Sequence, residues 1–468
     1  MRGRAALRLA PLALVVSACI GPVDAPKSRL PVSDETPTRL AQANLPSLPP
    51  MKVFAAPLPA PTTRANSDIA RDFLDLSFRL ESGRQLPVFT RFEGPIRVAV
   101  TGKPTAGMTR DLGGLVARLR DEARLDIDFA RAQQPAQITV QAVSSKTIRR
   151  YLPQAACFVV PGITDLSQYH AARRAGETDW ARLDERRQIA IFVPNDVSPQ
   201  ESRDCLHEEL AQALGPLNDL YRLPDSTFND DNMNTVLTGF DMLILRATYS
   251  RDLNSGMSRA QVAAVLPGIL ARLNPAGSGQ LSQPLRDTPS TWVEAIEEAL
   301  GASGTLRRRT AAASRALLIA QNAGWQDHRM AFAHFTVARL IQPHDRKLAH
   351  AHLTRAWRIY RQRPDTAPHA AHVAAQLAAH AIFEGDGERA LSILRGQADV
   401  ARRNENAALL ASIQMLRAEA LDLTGHQPEA GSVRLDSLGW ARYGFGPDWV
   451  VRTKLNEIAA LRPARIRG

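Results

Sequence analysis

The stretch from Ser198 to Asp219, SPQESRDCLHEELAQALGPLND, constrains this chain more than any other. Ser198 is a helix N-cap, Pro199 suits the first turn, and Glu201 three residues on completes a capping box. Gly215 and Pro216 stop the helix. Leu206, Leu210, Ala213, Leu214 and Leu217 lie three or four apart and give one buried stripe. Off that stripe sit His207, Glu208, Glu209 and Gln212. The segment therefore reads as a core helix with a dense polar edge, followed directly by Asn218 and Asp219.

Composition sets the frame around it. With 468 residues, 44% hydrophobic, the chain can bury two cores. The formal charge is +11, mostly from arginines spread along the chain. No basic-aromatic interleaving or recognition-helix pattern accompanies that charge, so no nucleic-acid partner is expected. Attraction to anionic lipid, glycan or cell-wall surfaces suits it better.

At the N-terminus Arg2, Arg4 and Arg8 precede a short apolar run through Leu12, Leu14, Val15 and Val16. The run is too short to span a bilayer and reads as a signal peptide over 1–19. Val16-Ser17-Ala18-Cys19 resembles the lipobox of bacterial lipoproteins, which implies lipidation of Cys19. The expected location is the periplasmic side of a bacterial cell envelope, anchored to a membrane through the N-terminal lipid, with the outer membrane favoured because Ile20 follows. Residues 20–65 are Pro-rich and read as a tether. Cys157 and Cys205 form an even pair suited to an oxidising compartment, and a disulfide between them is expected.

Between Ile69 and Val193 the periodicities give helix at Ile69–Leu80, strand-rich sequence over Phe89–Val100 with Ile96, Val98 and Val100 alternating, helix at Thr109–Glu122, and strands at Ile127–Ala130, Gln137–Val143, Phe158–Val160 and Ile189–Val193. VTGKPTAG lacks phosphate-loop spacing and reads as a turn. Pro275–Pro289 is a Gly/Ser/Pro/Gln linker, which puts domain boundaries at 66–274, 275–290 and 291–468. Beyond the linker the sequence is helical. Gly385-Asp386-Gly387-Glu388-Arg389-Ala390 and Gly425-His426-Gln427-Pro428-Glu429-Ala430 repeat one helix-to-turn junction and resemble tetratricopeptide hairpins, whose stacks commonly bind partner proteins. The scattered His344, His350, His352, His369, His372 and His380 show no ligand spacing.

Glu208 to Asn218 (EELAQALGPLN) resembles the HExxHxxGxxH zinc signature of the metzincin metalloproteases. It resembles more closely a bacterial domain family of unknown function marked by C-x-x-E-E-x-x-Q-x-L-G, an Asn-Asp and then S-x-F-N-D, here Ser226 to Asp230. The resemblance implies an α+β metzincin-like domain (mixed sheet plus central helix), ahead of an all-α helical-hairpin domain. It puts Glu209 on the family's general-base glutamate and Gly215 on its turn glycine, with Glu208, Gln212 and Asn218 replacing the zinc histidines. Zinc wants nitrogen or sulfur donors, so no metal and no cofactor is expected.

Two functions follow as expectations. One is a non-catalytic protease-like domain with a helical module for a protein or peptidoglycan partner. The other is a zinc-independent hydrolase in which Glu209 works beside a polar pocket of Glu208, Gln212, Asn218 and Asp219. Adjacent helical residues point about 100° apart, so Glu208 and Glu209 are not expected to share one site.

Overall fold

A computed structural model describes residues 47–54, 59–301 and 304–463. Cys19 and the signal segment lie outside the described residues. The first region opens with α1 (Asn66–Ser77), β1 (Ile96–Gly102), α2 (Ala106–Asp121), β2 (Ile127–Phe129) and β3 (Ile138–Val143). It continues through α3 (Ser145–Tyr151), β4 (Phe158–Pro161), α4 (Tyr169–Ala175) and β5 (Ile189–Pro194) to the capped helix α5 (Pro199–Leu214), then α6 (Gly239–Thr248) and α7 (Arg259–Leu273). The five strands form one mixed sheet in the order β2-β1-β3-β5-β4, parallel except where β4 runs against β5. Every residue of β5 is buried, as a strand covered on both faces requires.

α5 lies on that sheet with Leu206, Leu210, Ala213 and Leu214 wholly buried beside Ile189, Ile191 and Val193. Its start follows the expected capping box: Ser198 Oγ accepts from the Glu201 N–H at 3.2 Å, and the Glu201 carboxylate accepts from the Ser198 N–H at 3.1 Å. Cys157 and Cys205 are joined, with 5.9 Å between their Cα atoms, and so tie the start of β4 to α5.

The second region is helical: α8 (Ser290–Leu300), α9 (Leu306–Asn322), α10 (His328–Ile341), α11 (Arg346–Tyr360), α12 (Ala367–Phe383), α13 (Gly387–Leu394), α14 (Gln397–Arg403), α15 (Ala407–Leu423), α16 (Gln427–Phe445) and α17 (Asp448–Ala459). Consecutive helices pack as pairs, α8 with α9, α10 with α11, α12 with α13 and α15 with α16. Gly385 and Gly425 adopt φ of +80° and +84° at the two repeated junctions, a conformation glycine takes at no steric cost. Among the described residues no helix is long and apolar enough to cross a membrane.

The helical region is not a free arm. Arg203 on α5 donates to the Glu405 carbonyl at the α14–α15 turn, and Gln200 Nε2 donates to Asn406 Oδ1 at 3.2 Å. The linker is held as well, because Arg222 reaches both Asp72 on α1 and Asp287. Part of the stretch read as a tether is docked too: Lys52 N–H donates to the Gly439 carbonyl, Arg442 to the Pro49 carbonyl, and Phe54 stacks on Trp440.

Candidate functional site

The polar edge of α5 divides by depth. Toward its N-terminal half the side chains serve packing. His207 Nδ1 accepts from the Leu237 N–H at 3.1 Å, and burial, then Arg203 and Arg118, hold its pKa well below the usual imidazole value. It is a neutral group engaged with the main chain ahead of α6.

Toward the C-terminal half the carboxylates gather. Glu208 is partly buried and Glu209 is 5% exposed. Asp219 comes from the turn after the helix, Asp230 from the S-x-F-N-D loop, Glu81 from the turn after α1, and Glu297 from α8. Burial, then Asp230, Glu81 and Asp204, push Glu208 up to about 8. Burial, then Glu208 and Glu81, raise Glu209 well above the normal range. Asp219 is raised likewise by burial, then by Asp230, Glu81 and Glu208, and it shares a hydrogen bond with Glu81 that needs a proton between two carboxyls. Burial, then Glu81, Glu297 and Asp231, bring Asp230 to about 7.

The charges acting most strongly on these four groups are all carboxylates. That is unusual company in a chain with 58 Lys and Arg against 47 Asp and Glu. Glu81 acts on both Glu208 and Glu209, although adjacent helical residues point about 100° apart. Such a set holds its protons in common and releases the first of them near neutrality.

The other two pocket residues are placed differently. Asn218 is buried, and its Nδ2 donates to the Asp75 carbonyl at 3.0 Å, which ties the loop to α1. Gln212 is buried as well, and its own carbonyl accepts from Arg186. Arg186 is an unforeseen feature: its guanidinium also donates to the carbonyls of Ala213 and Gly215, which satisfies the exposed end of α5 and leaves the cation fully sequestered. Gly215 itself has φ −172°, a value open to any residue. Its requirement is space, because a Cβ there would stand 2.9 Å from Thr248 Cγ2.

The S-x-F-N-D loop is fixed from inside. Asp241 on α6 accepts from Ser226 Oγ at 2.5 Å and from the Thr227 N–H at 3.1 Å, and Phe228 is wholly buried in the core. Asp230 follows in the same loop, where Glu81 and Glu297 act on it. A separate polar cavity of about 230 Å³ lies beside α1, lined by Arg64, Asp72, Arg222 and Asp365 among others. Its charges are already matched, Arg64 and Arg222 both lying against Asp72, so it offers no comparable chemistry. Among the described residues no group of three or more His, Cys, Asp or Glu is arranged to hold a metal ion.

Residues 66–268 match the family described as "Protein of unknown function (DUF2927)". The first region is a DUF2927 domain. No curated protein and no solved structure matches the chain. The DUF2927 domain contains α5, Asp219, Asp230 and Glu81, while Glu297 lies outside it on the helical region. Asp230 sits within the loop motif readable in the sequence. Glu81 and Glu297 carry no local signal, since only the folded chain brings them to α5.

Proposed function

We propose that this chain is a lipid-anchored protein of the bacterial cell envelope whose DUF2927 domain is a zinc-independent, peptidase-like hydrolase. The observation that carries the reading is that Glu208, Glu209, Asp219 and Asp230 are each at least partly buried and raised by one another or by Glu81, carboxylates being the charges that act most strongly on them. A segment that served packing alone would gain nothing from Asp219 Oδ1, a buried acceptor without a donor, which costs about 1–3 kcal/mol. Carboxyls with displaced pKa values can divide into a proton donor and a proton acceptor near neutral pH. The order of those values supports a change of role for Glu209. It keeps its proton and serves as the general acid toward the leaving group, while Asp230 ionises first and takes the proton of the attacking water. A mixed sheet followed by a capped helix supports a metzincin-like origin for this frame.

The anchoring half of the proposal rests on Arg2, Arg4, Arg8, the apolar run and the lipobox-like stretch ending at Cys19. The Cys157–Cys205 pairing supports an oxidising compartment. A scaffold role with a protein or peptidoglycan partner is favoured by one observation, the use of Asn218 to fasten the loop to α1 rather than to face a ligand.

The test is cleavage of a peptide library by the mature full-length chain, read by mass spectrometry, with and without a chelator. Chelator-insensitive cleavage that falls by roughly 100-fold or more in Glu209→Gln and in Asp230→Asn is expected. Absence of cleavage, or cleavage indifferent to both substitutions, returns the domain to the scaffold role.

A further inference from the structure

α10 and α11 carry the same short pattern. AFAHFTVA, from Ala331 to Ala338, and AHAHLTRA, from Ala349 to Ala356, both read A-x-A-H, then an apolar residue, Thr, any residue and Ala. Each of His334 and His352 therefore has one alanine three residues before it and another four residues after it, on the same helical face. Ala331, Ala338, Ala349 and Ala356 are all wholly buried. The two helices pack together across the short turn between Ile341 and Arg346, and so run antiparallel. Small side chains a turn to either side let the backbones approach, and the two histidines meet across the seam.

His334 Nδ1 and His352 Nδ1 stand 2.8 Å apart, with the ring planes at 44°. One of these nitrogens carries the proton and the other presents its lone pair. Both side chains are partly buried. Burial lowers both pKa values from the usual imidazole value, and His352 and Arg355 help to bring His334 to about 4. Both rings are therefore neutral near pH 7, the form that binds a metal. His350, two residues before His352, is engaged elsewhere: its Nε2 accepts from Arg389 at 2.8 Å, and its ring lies 5.5 Å from that of His380.

We propose that His334 and His352 form a two-histidine site for a divalent transition metal, and that copper(II) is the ion it favours. Two nitrogens each about 2.0 Å from one ion and at right angles to each other stand about 2.8 Å apart, which is the separation found here. A tetrahedral zinc site would spread them to about 3.3 Å. Copper(II) and nickel(II) take the right-angled arrangement, and copper(II) heads the affinity order for such donors. Arg355, exposed and near His334, opposes every dication alike, so it lowers the affinity without altering the preference. Seating the ion exchanges the N–H···N bond for two metal–nitrogen bonds. The proton between the rings passes to Nε2 of its own ring, so both stay neutral and none is released. Water completes the coordination on the open side of the seam. The site belongs to the helical region, outside the DUF2927 domain, and is independent of the proposed hydrolysis.

The experiment is titration calorimetry of the untagged full-length chain with copper(II) chloride, in a weakly coordinating buffer at pH 7, together with electron paramagnetic resonance of the loaded protein. One copper per chain should bind, and the spectrum should show nitrogen splitting from two imidazoles. His334→Asn and His352→Gln should each weaken binding by roughly tenfold or more. His350→Ala, on the same helix, should leave it unchanged. Copper affinity as high in both ligand variants as in the parent, dependence on His350 equal to that on His352, or splitting from a single imidazole overturns the inference. The parent's spectrum decides the ligand count whether or not a variant folds.

Discussion

His369 Nε2 on α12 donates to Asp231 Oδ2 at 2.8 Å, and both side chains are sealed from solvent. One end of this contact is the residue beside Asp230 in the DUF2927 domain, and the other is in the helical region. Asp231 also accepts from Asn229 Nδ2 at 2.9 Å and from the Met233 N–H at 3.0 Å. The position of the site loop is thus set partly by a helix more than a hundred residues further along the chain.

Removing the carboxylate should therefore cost more than one ordinary bond. Asp231→Ala removes the acceptor of three buried hydrogen bonds, and the unfolding free energy should fall by about 3–5 kcal/mol. Denaturant melts followed by circular dichroism and tryptophan fluorescence check this. Coupling through Asp231 predicts a single transition in the parent and an earlier or split one in the variant. A change below 1 kcal/mol would show that the contact is incidental.

The raised carboxyls set the sign of a pH effect. Asp230 titrates at about 7 in the fold against about 3.9 in an unfolded chain, so the folded state binds more protons between those values. Its favourable contribution is full below about pH 4 and is lost as the pH rises through 7. Glu208, displaced to about 8, extends the same loss upward. The melting temperature should accordingly fall between pH 5 and pH 8.5. Asp230→Asn should raise it at pH 8.5 while changing it little at pH 5. Equal effects at both values would mean that Asp230 is ordinary.

The Cys157–Cys205 link closes a sequence separation of 48 residues. Chain entropy over a loop of that size gives about 4 kcal/mol of stabilisation. The double substitution to serine should lower stability by roughly 2–4 kcal/mol and loosen β4 first, since this edge strand pairs only with β5. Hydrogen exchange at Val159 and Val160 would report it. Unchanged protection there would place the benefit of the bridge elsewhere.

Much of the frame was legible because its signals are local. Alternation in Ile96, Val98 and Val100, the all-apolar run of β5, and the Ser198–Glu201 capping box each declare an element within a few residues. α3 and α4 escaped notice because seven residues give too little periodicity. Gly215 ends α5 where its sequence position implies, but its closeness to Thr248 is a property of the packed state that no local signal carries. The site was half visible. Glu208, Glu209 and Asp219 lie on or beside the helix, and Asp230 lies in the loop motif. Glu81 and Glu297 reach the same place only through the docking of α1 and α8, and no spacing rule connects them. Arg186 was hidden likewise, because an arginine that caps a distant helix looks in sequence like any surface arginine.

The strap at Pro49 to Phe54 has a mechanical corollary. It is fastened to α16 through Gly439, Trp440 and Arg442. Tension arriving from the N-terminal side of the chain would therefore be taken up first by the helical array and only afterwards by the sheet. Since α16 also packs against α5, the Pro49–Phe54 strap and the carboxyl-bearing helix are joined through one intervening helix.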